Sequence, residues 1–112
     1  MRSFDTCDLS NTKFSSARLH RCSVEAVLLV GADFKDAHCV NTSFARSNFA
    51  NATLKTAVVD GANFTNAVLT DADMRKAKMS GCVLHGADVS RAKLSGVDLS
   101  KVDILNTQRA TK

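Results

Sequence analysis

The stretch GADFKDAHCVNTSFARSNFANATLKTAVVDGANF, residues 31–64, opens on GADF (31–34) and closes on GANF (61–64). Between the two a large apolar residue returns at every fifth position: Phe34, Cys39, Phe44, Phe49, Leu54, Val59, Phe64. The phase extends in both directions without a slip. It begins at Phe4 and passes through Leu9, Phe14, Leu19, Val24 and Leu29. It continues through Leu69, Met74, Met79, Leu84, Val89, Leu94 and Leu99 to Ile104, twenty-one apolar centres, and breaks at Arg109. All six phenylalanines stand on it. Two residues before the centre the side chain is small, as at Ala32, Ala37, Ala52, Ala57 and Ala62, or is Cys, Thr, Ser or Val, everywhere except at Arg2. All five glycines (Gly31, Gly61, Gly81, Gly86, Gly96) fall two residues after a centre.

A period of five fits neither regular element. On a helix each step of five turns the side chain by about 500°, so the centres would wind round every face. On a flat strand successive centres, an odd number apart, would point to opposite sides. Alanine-rich runs such as FANATLKTAVVDGANF favour a helix on propensity alone, but the period overrules propensity. A chain that bends once per unit buries the whole set. The centre and the small residue before it then point inward, and Gly, Asn or Ser at the last position supplies the bend.

Units of the form A-D-F (32–34), A-N-F (62–64), A-D-M (72–74), A-D-V (87–89) and V-D-L (97–99), held in phase over residues 2–106, resemble those of the pentapeptide-repeat family. The resemblance implies an all-β fold, a right-handed quadrilateral β-helix in which four pentapeptides make one square coil. Residues 2–106 would then form about five coils stacked roughly 4.8 Å apart, the spacing of adjacent strands, with residues 107–112 left as a short polar tail. Residues twenty apart would stack in four internal ladders, and nearest-neighbour stacking would supply the stability, as in other solenoids.

The 112 residues suffice for one domain, and 45% hydrophobic composition suffices for a core. With no Trp, Tyr or Pro, that core is built from many small and medium aliphatics. No run of about 18 apolar residues is present, and MRSFDTCDLS (1–10) lacks the apolar segment of a secretory signal. The formal charge of +4 permits an acidic partner without demanding nucleic acid.

Recognition must use the outward positions. On the third face Lys13, Lys35, Lys55, Arg75, Lys76 and Lys93 outnumber Asp33, Asp36 and Asp73, and Lys35, Lys55 and Arg75 are expected in one column on consecutive coils. The adjoining fourth face adds Arg18, Arg21, Lys78 and Lys101. Three readings stand open: a solvated flank whose charges salt screens, a docking stripe for an acidic protein surface, or a nucleic-acid surface. The last lacks exposed aromatics for base stacking. On the second face Leu28, Val30, Ala50 and Val68 are expected to form a small apolar patch, which is either ordinary surface or a contact.

Catalytic chemistry finds no foothold. Cys7, Cys22, Cys39 and Cys82 form no CxxC motif, all fall at inward positions, and are expected to be buried, reduced thiols. They suggest a reducing compartment, cytoplasmic or cytoskeletal, with an organelle lumen reached through a cleaved targeting peptide left open. His20 and His38 make at best a weak surface metal pair. The recurrent Asp and Asn before the centres suit bonds to turn amides better than acid–base pairs. No nucleophile–base set, phosphate loop, cofactor site or metal site is expected.

Two functional classes follow. The first is a non-catalytic structural or adaptor module that docks onto protein partners, acidic on one side; an acidic lattice such as microtubules fits the charge. The second, implied by another branch of the family, is a DNA-mimicking protein that shields type II topoisomerases. The basic charge and short length oppose it. No capping helix is evident at either end, so a symmetry mate, a partner or further sequence is expected to cover the terminal coils.

Overall fold

In the computed structural model, which describes residues 7–107, the chain climbs as a continuous spiral of short extended segments and tight bends. Phe4 and the end of the polar tail, residues 108–112, lie outside the described residues. Parallel β-bridges join residues twenty apart, from Asp8↔Leu28 through Ser43↔Asn63 to Val83↔Asp103. Each joined residue is the one just before a centre. Around it the backbone bonds alternate: the Phe44 N–H donates to the Asn63 carbonyl (2.7 Å), and the Ser43 N–H donates to the Cys22 carbonyl (2.9 Å). Each extended segment is so short that these bridges stand singly rather than merging into long strands.

The bends have one recurrent form. The N–H two residues before a centre donates back to the preceding centre's carbonyl, as Ala52 does to Phe49 (2.9 Å) and Ala62 to Val59 (2.9 Å). Only the second corner residue has positive φ, for example Asn51 (60°) and Gly61 (72°), the pattern of a type II turn. The side chain before the centre then accepts the first corner's N–H: Asp33 from Lys35 (2.9 Å), Asn48 from Ala50 (2.9 Å), Asn63 from Thr65 (3.0 Å). The repeated Asp and Asn are therefore structural. Glycine at the corner has a further cause at Gly31, Gly61 and Gly86. A side chain there would collide with the amide oxygen of Asn11, Asn41 or Asn66 one turn earlier.

The interior matches the five-residue phase. Phe34, Phe44, Phe49, Leu54, Val59, Phe64, Leu69 and Met74 are buried with Ala32, Ala52, Ala57, Ala62 and Ala72. Stacking in register brings like rings together. Phe44 and Phe64 lie 5.2 Å apart at 17°, while Phe49 meets Phe44 edge-on at 5.1 Å and 80°, both favourable arrangements. Hydroxyls at the small position are satisfied: Ser47 Oγ donates to the Val24 carbonyl (2.6 Å), and Thr42 Oγ1 donates to that of Leu19. The two short principal extents, 21 and 20 Å against a long one of 35 Å, reflect the nearly square cross-section.

Two expectations need correction. Cys39 and Cys82 are buried, but Cys22 is half-buried and Cys7 is exposed. Both of the latter hold the inward phase, yet they lie at the edge of the described stack, where coverage is one-sided. For the same reason the centre Ile104 is 37% exposed, and its neighbour Leu105 61%.

One rung departs from the rest. Among the described residues every pair that the register calls for is bridged except Lys78 and Asp98. There a 3-10 turn, Leu99–Lys101, replaces the usual bend, and the Asp98 side chain caps it by accepting from the Ser100 N–H (3.0 Å). The Gly81 N–H consequently donates to Lys101 (2.8 Å), one residue beyond its regular partner. Lys101 thereby avoids the positive φ found at the other described corners.

Candidate functional site: the basic face and its neighbours

The third face presents a column of residues that follow the centres. The Asp36 N–H reaches the Lys55 carbonyl (3.2 Å) and the Thr56 N–H that of Arg75 (3.0 Å), which stacks Lys35, Lys55 and Arg75 on consecutive turns. Their environments differ. Lys13, Lys35, Lys76 and Lys93 are exposed, whereas Lys55 and Arg75 are half-buried. Arg75 folds back on Asp73 with two bonds, Nε to Oδ1 (2.9 Å) and a terminal nitrogen to Oδ2 (2.7 Å). This bidentate bond, reinforced by the charge of Lys93, holds the Asp73 carboxyl down at about 2. Arg75 thus has its carboxylate already, and the lysines of the column carry the available positive charge.

On the second face Leu28 is 47% exposed, while Val30, Ala50 and Val68 are half-buried. Leu28 and Val68 stand in one column, but Asn48 separates them, and Asp8 and Asp88 bound the column at either end. The patch is therefore narrower than Leu28, Val30, Ala50 and Val68 together suggest.

The unbridged rung on the fourth face opens a cleft of about 310 Å³. Ala77 and Met79 form its floor, and Lys76, Lys78, Lys101, Asp60 and Asp98 surround it. Both carboxylates are engaged by the backbone, Asp60 by the Ser80 N–H (3.0 Å) and Asp98 by that of Ser100. Sequence reasoning places Lys78 and Lys101 on this wall but cannot see the cleft, because residues 97–101 (VDLSK) keep the five-residue phase.

No group of three or more His, Cys, Asp or Glu among the described residues is arranged to hold a metal ion. Burial pushes the Cys39 and Cys82 thiols up to about 12, so neither is a ready nucleophile. No helix among the described residues is long and apolar enough to cross a membrane.

The sequence matches the family model of pentapeptide repeats in eight copies, over residues 28–66, 50–86 and 62–100. The chain belongs to the pentapeptide-repeat family. A search of curated proteins by sequence finds no match. Among solved structures it is similar to a pentapeptide repeat protein of the Arabidopsis thaliana thylakoid lumen, with 26% identity and a TM-score of 0.69, covering 88% of this chain and 65% of that one. It is also similar to HetL of the cyanobacterium Nostoc sp. strain PCC 7120, described as involved in the regulation of heterocyst differentiation. The identity there is 24% and the TM-score 0.74, covering 94% of this chain and 52% of HetL. A third, Rfr23 of the cyanobacterium Cyanothece 51142, matches at 22% identity and TM-score 0.65, covering 95% and 83%. The chain spans about two thirds of the first relative and about half of the second. The fold is the right-handed β-helix of this family.

Proposed function

We propose that this chain is a non-catalytic docking module, a rod of about five four-sided coils over residues 2–106. It joins a larger protein assembly through the basic third face and the apolar patch of the second. The observation that carries the reading is the pair Lys35 and Lys55, stacked on consecutive turns beside an arginine already neutralised by Asp73. Like charges on neighbouring rungs are mildly destabilising. The same column holds Ser15 and Ser95 at its ends, so the wall is equally built without charge. An acidic partner surface offsets the repulsion, and Leu28 adds an apolar contact on another side. HetL, described by a regulatory involvement, is compatible with action through binding rather than through a reaction. The topoisomerase-shielding alternative calls for an acidic, duplex-like wall, which the lysine column opposes.

The test uses a defined acidic lattice. Co-sedimentation with assembled microtubules should show binding that weakens with salt. Lys35→Glu/Lys55→Glu should abolish it, and Leu28→Asp/Val68→Asp should reduce the binding that persists at high salt. If both variants fold and sediment as the wild type does, or if the wild type stays in solution at low salt, these faces are solvated walls with respect to such a lattice.

A further inference from the structure

The two ends of the described stack cut across the same repeat, and what one end lacks the other offers. Every centre from Val24 to Val89 is buried. Leu9, Phe14 and Leu19 at one end and Leu94 and Leu99 at the other are only half-buried, and Ile104 is exposed. The backbone edges are complementary in kind. Inside the ladder the residue before a centre turns both backbone groups to the preceding turn: the Ser43 N–H donates to Cys22 (2.9 Å), and its carbonyl accepts from Val24 (2.7 Å). At the N-terminal end Asp8, Lys13 and Arg18 make neither bond with a described residue. At the C-terminal end the matching groups are also left over, the Ala92 carbonyl with the Leu94 N–H and the Val102 carbonyl with the Ile104 N–H. Each end is thus one half of a parallel rung, an open template for pairing.

Charge selects how two such ends meet. A four-sided end can be set on another in four quarter-turn rotations. The rung residues at the N-terminal end are Asp8, Lys13 and Arg18 in chain order, and those at the C-terminal end are Asp88, Lys93, Asp98 and Asp103. In one rotation Asp8 meets Lys93, Lys13 meets Asp98 and Arg18 meets Asp103, and every pair is opposite. In each of the other three Asp8 meets Asp88, Asp98 or Asp103. Opposite charges on neighbouring rungs are favourable and like charges are not. The chain uses such pairing internally, at the rungs Lys13↔Asp33 and Asp73↔Lys93. The same rotation lays Leu9 on Leu94, Phe14 on Leu99 and Leu19 on Ile104. We propose that the chain stacks head to tail on copies of itself, the N-terminal end of one on the C-terminal end of the next, advanced by one quarter turn. Backbone rungs form on the walls of Lys93 and Asp103. The 3-10 turn Leu99–Lys101 leaves only the charge pair on the wall between them. The two surfaces differ, so each added copy presents a fresh end, and growth is open rather than closed at a dimer. The junction uses the ends of the rod and is independent of the wall that carries Lys35 and Lys55.

Sedimentation velocity of the whole chain tests it. At low salt the average mass should rise with concentration past that of a dimer, and it should fall as salt screens the pairs. Asp8 and Lys93 are both exposed and carry the decisive exchange. Asp8→Lys and Lys93→Asp each turn one opposite pair into a like one and should each weaken association about fivefold. The same rung position holds Lys78 and Asp33 elsewhere, so either side chain suits the repeat, and a melt confirms that each variant folds. Mixed in equal amounts, the two variants restore opposite pairs wherever unlike chains meet, and association should return to the wild-type level. Lys13→Asp with Asp98→Lys provides the same exchange on the next wall where either of the first variants fails to fold. A wild type that stays monomeric at low salt, growth that stops at a dimer, or a mixture that associates no better than its components would each overturn the proposal.

Discussion

The turn at Val24–Val27 and the rung at Lys78 and Asp98 each lack backbone bonds that the repeat supplies elsewhere, and the molecule treats them oppositely. At the first, Ser47 of the following turn inserts its hydroxyl, which accepts from the Val27 N–H (3.1 Å) and donates to the Val24 carbonyl (2.6 Å). Thr42 likewise donates its hydroxyl to the neighbouring Leu19 carbonyl. At the second no side chain enters, and the wall opens into a cleft rimmed by lysines. A β-helix can therefore mend a faulty corner with a small polar residue from the next layer. Where it does not, the fault remains as a feature of the surface.

The largest expected effect sets the scale for both faults. Phe44 is fully buried and contacts Phe34, Phe49 and Phe64. Phe44→Ala should cost roughly 3–5 kcal/mol, the usual range for truncating a buried aromatic, as read from a denaturant melt. A loss below that range would mean the layers relax into the space. Faults in one layer would then be mended by general settling rather than by particular side chains.

Ser47→Ala separates those possibilities. By position and volume Ser47 is interchangeable with the alanines at its phase, and its buried hydroxyl is easily passed over. Its removal leaves the Val27 N–H and the Val24 carbonyl buried without partners, at a cost of about 1–3 kcal/mol. Thr65→Ala is a suitable control, since the Thr65 hydroxyl bonds only within its own unit, to Asn63. Equal melts for the two variants would remove Ser47 from the account and with it the contrast between a mended fault and an open one.

How much of this was legible beforehand follows from what a period can encode. The interior was legible because burial depends on phase alone: Phe34, Phe44, Leu54 and Val59 are inward for the same reason each time. The corner glycines were legible as bends, but not the reason for Gly61 in particular. That reason is Asn41, twenty residues earlier, and it becomes visible only once the stacking register is known. The lysine column was legible by counting, whereas the Arg75–Asp73 pair was not, because a count fixes the wall and not the rotamer. The cleft lay beyond reach for a different reason. The unit VDLSK keeps both phase and composition, so the local choice of a 3-10 turn leaves no mark on the pattern. Cys7 shows the converse error, an inward phase at a place where the stack covers only one side.

A smaller effect tests whether charge holds the third face as a hydroxyl holds the Val24–Val27 turn. Asp73 has its carboxyl at about 2, chiefly through the Arg75 bond, against 3.8 when unperturbed. A carboxyl depressed by folding adds stability that is fully present above the unfolded value and is lost as pH falls from about 3.8 towards 2. The pair is partly solvated, with side chains 22% and 42% exposed for Asp73 and Arg75, so screening keeps the contribution below about 1 kcal/mol. Melts of the wild type and Asp73→Asn should differ above pH 4 and converge near pH 2. A difference that stayed constant down to pH 2 would show that the charge of Asp73 is not its source.

The smallest expected effect bears most directly on function. Lys55→Ala on the third face and Lys78→Ala beside the cleft should each change stability by less than about 0.5 kcal/mol, as at most surface positions. Both side chains project from walls whose backbone bonds are already complete on the N-terminal side: the Asp36 N–H reaches the Lys55 carbonyl, and the Lys78 N–H reaches that of Ala57. Neither lysine fills a space in the core. Near-zero values, set beside a clear cost for Ser47→Ala, would show that the mended corner serves the fold while the lysines are free for another use. A cost for Lys55→Ala as large as that for Ser47→Ala would overturn that division. The lysine column would then belong to the architecture of the rod, and its stacking would no longer argue for an acidic partner.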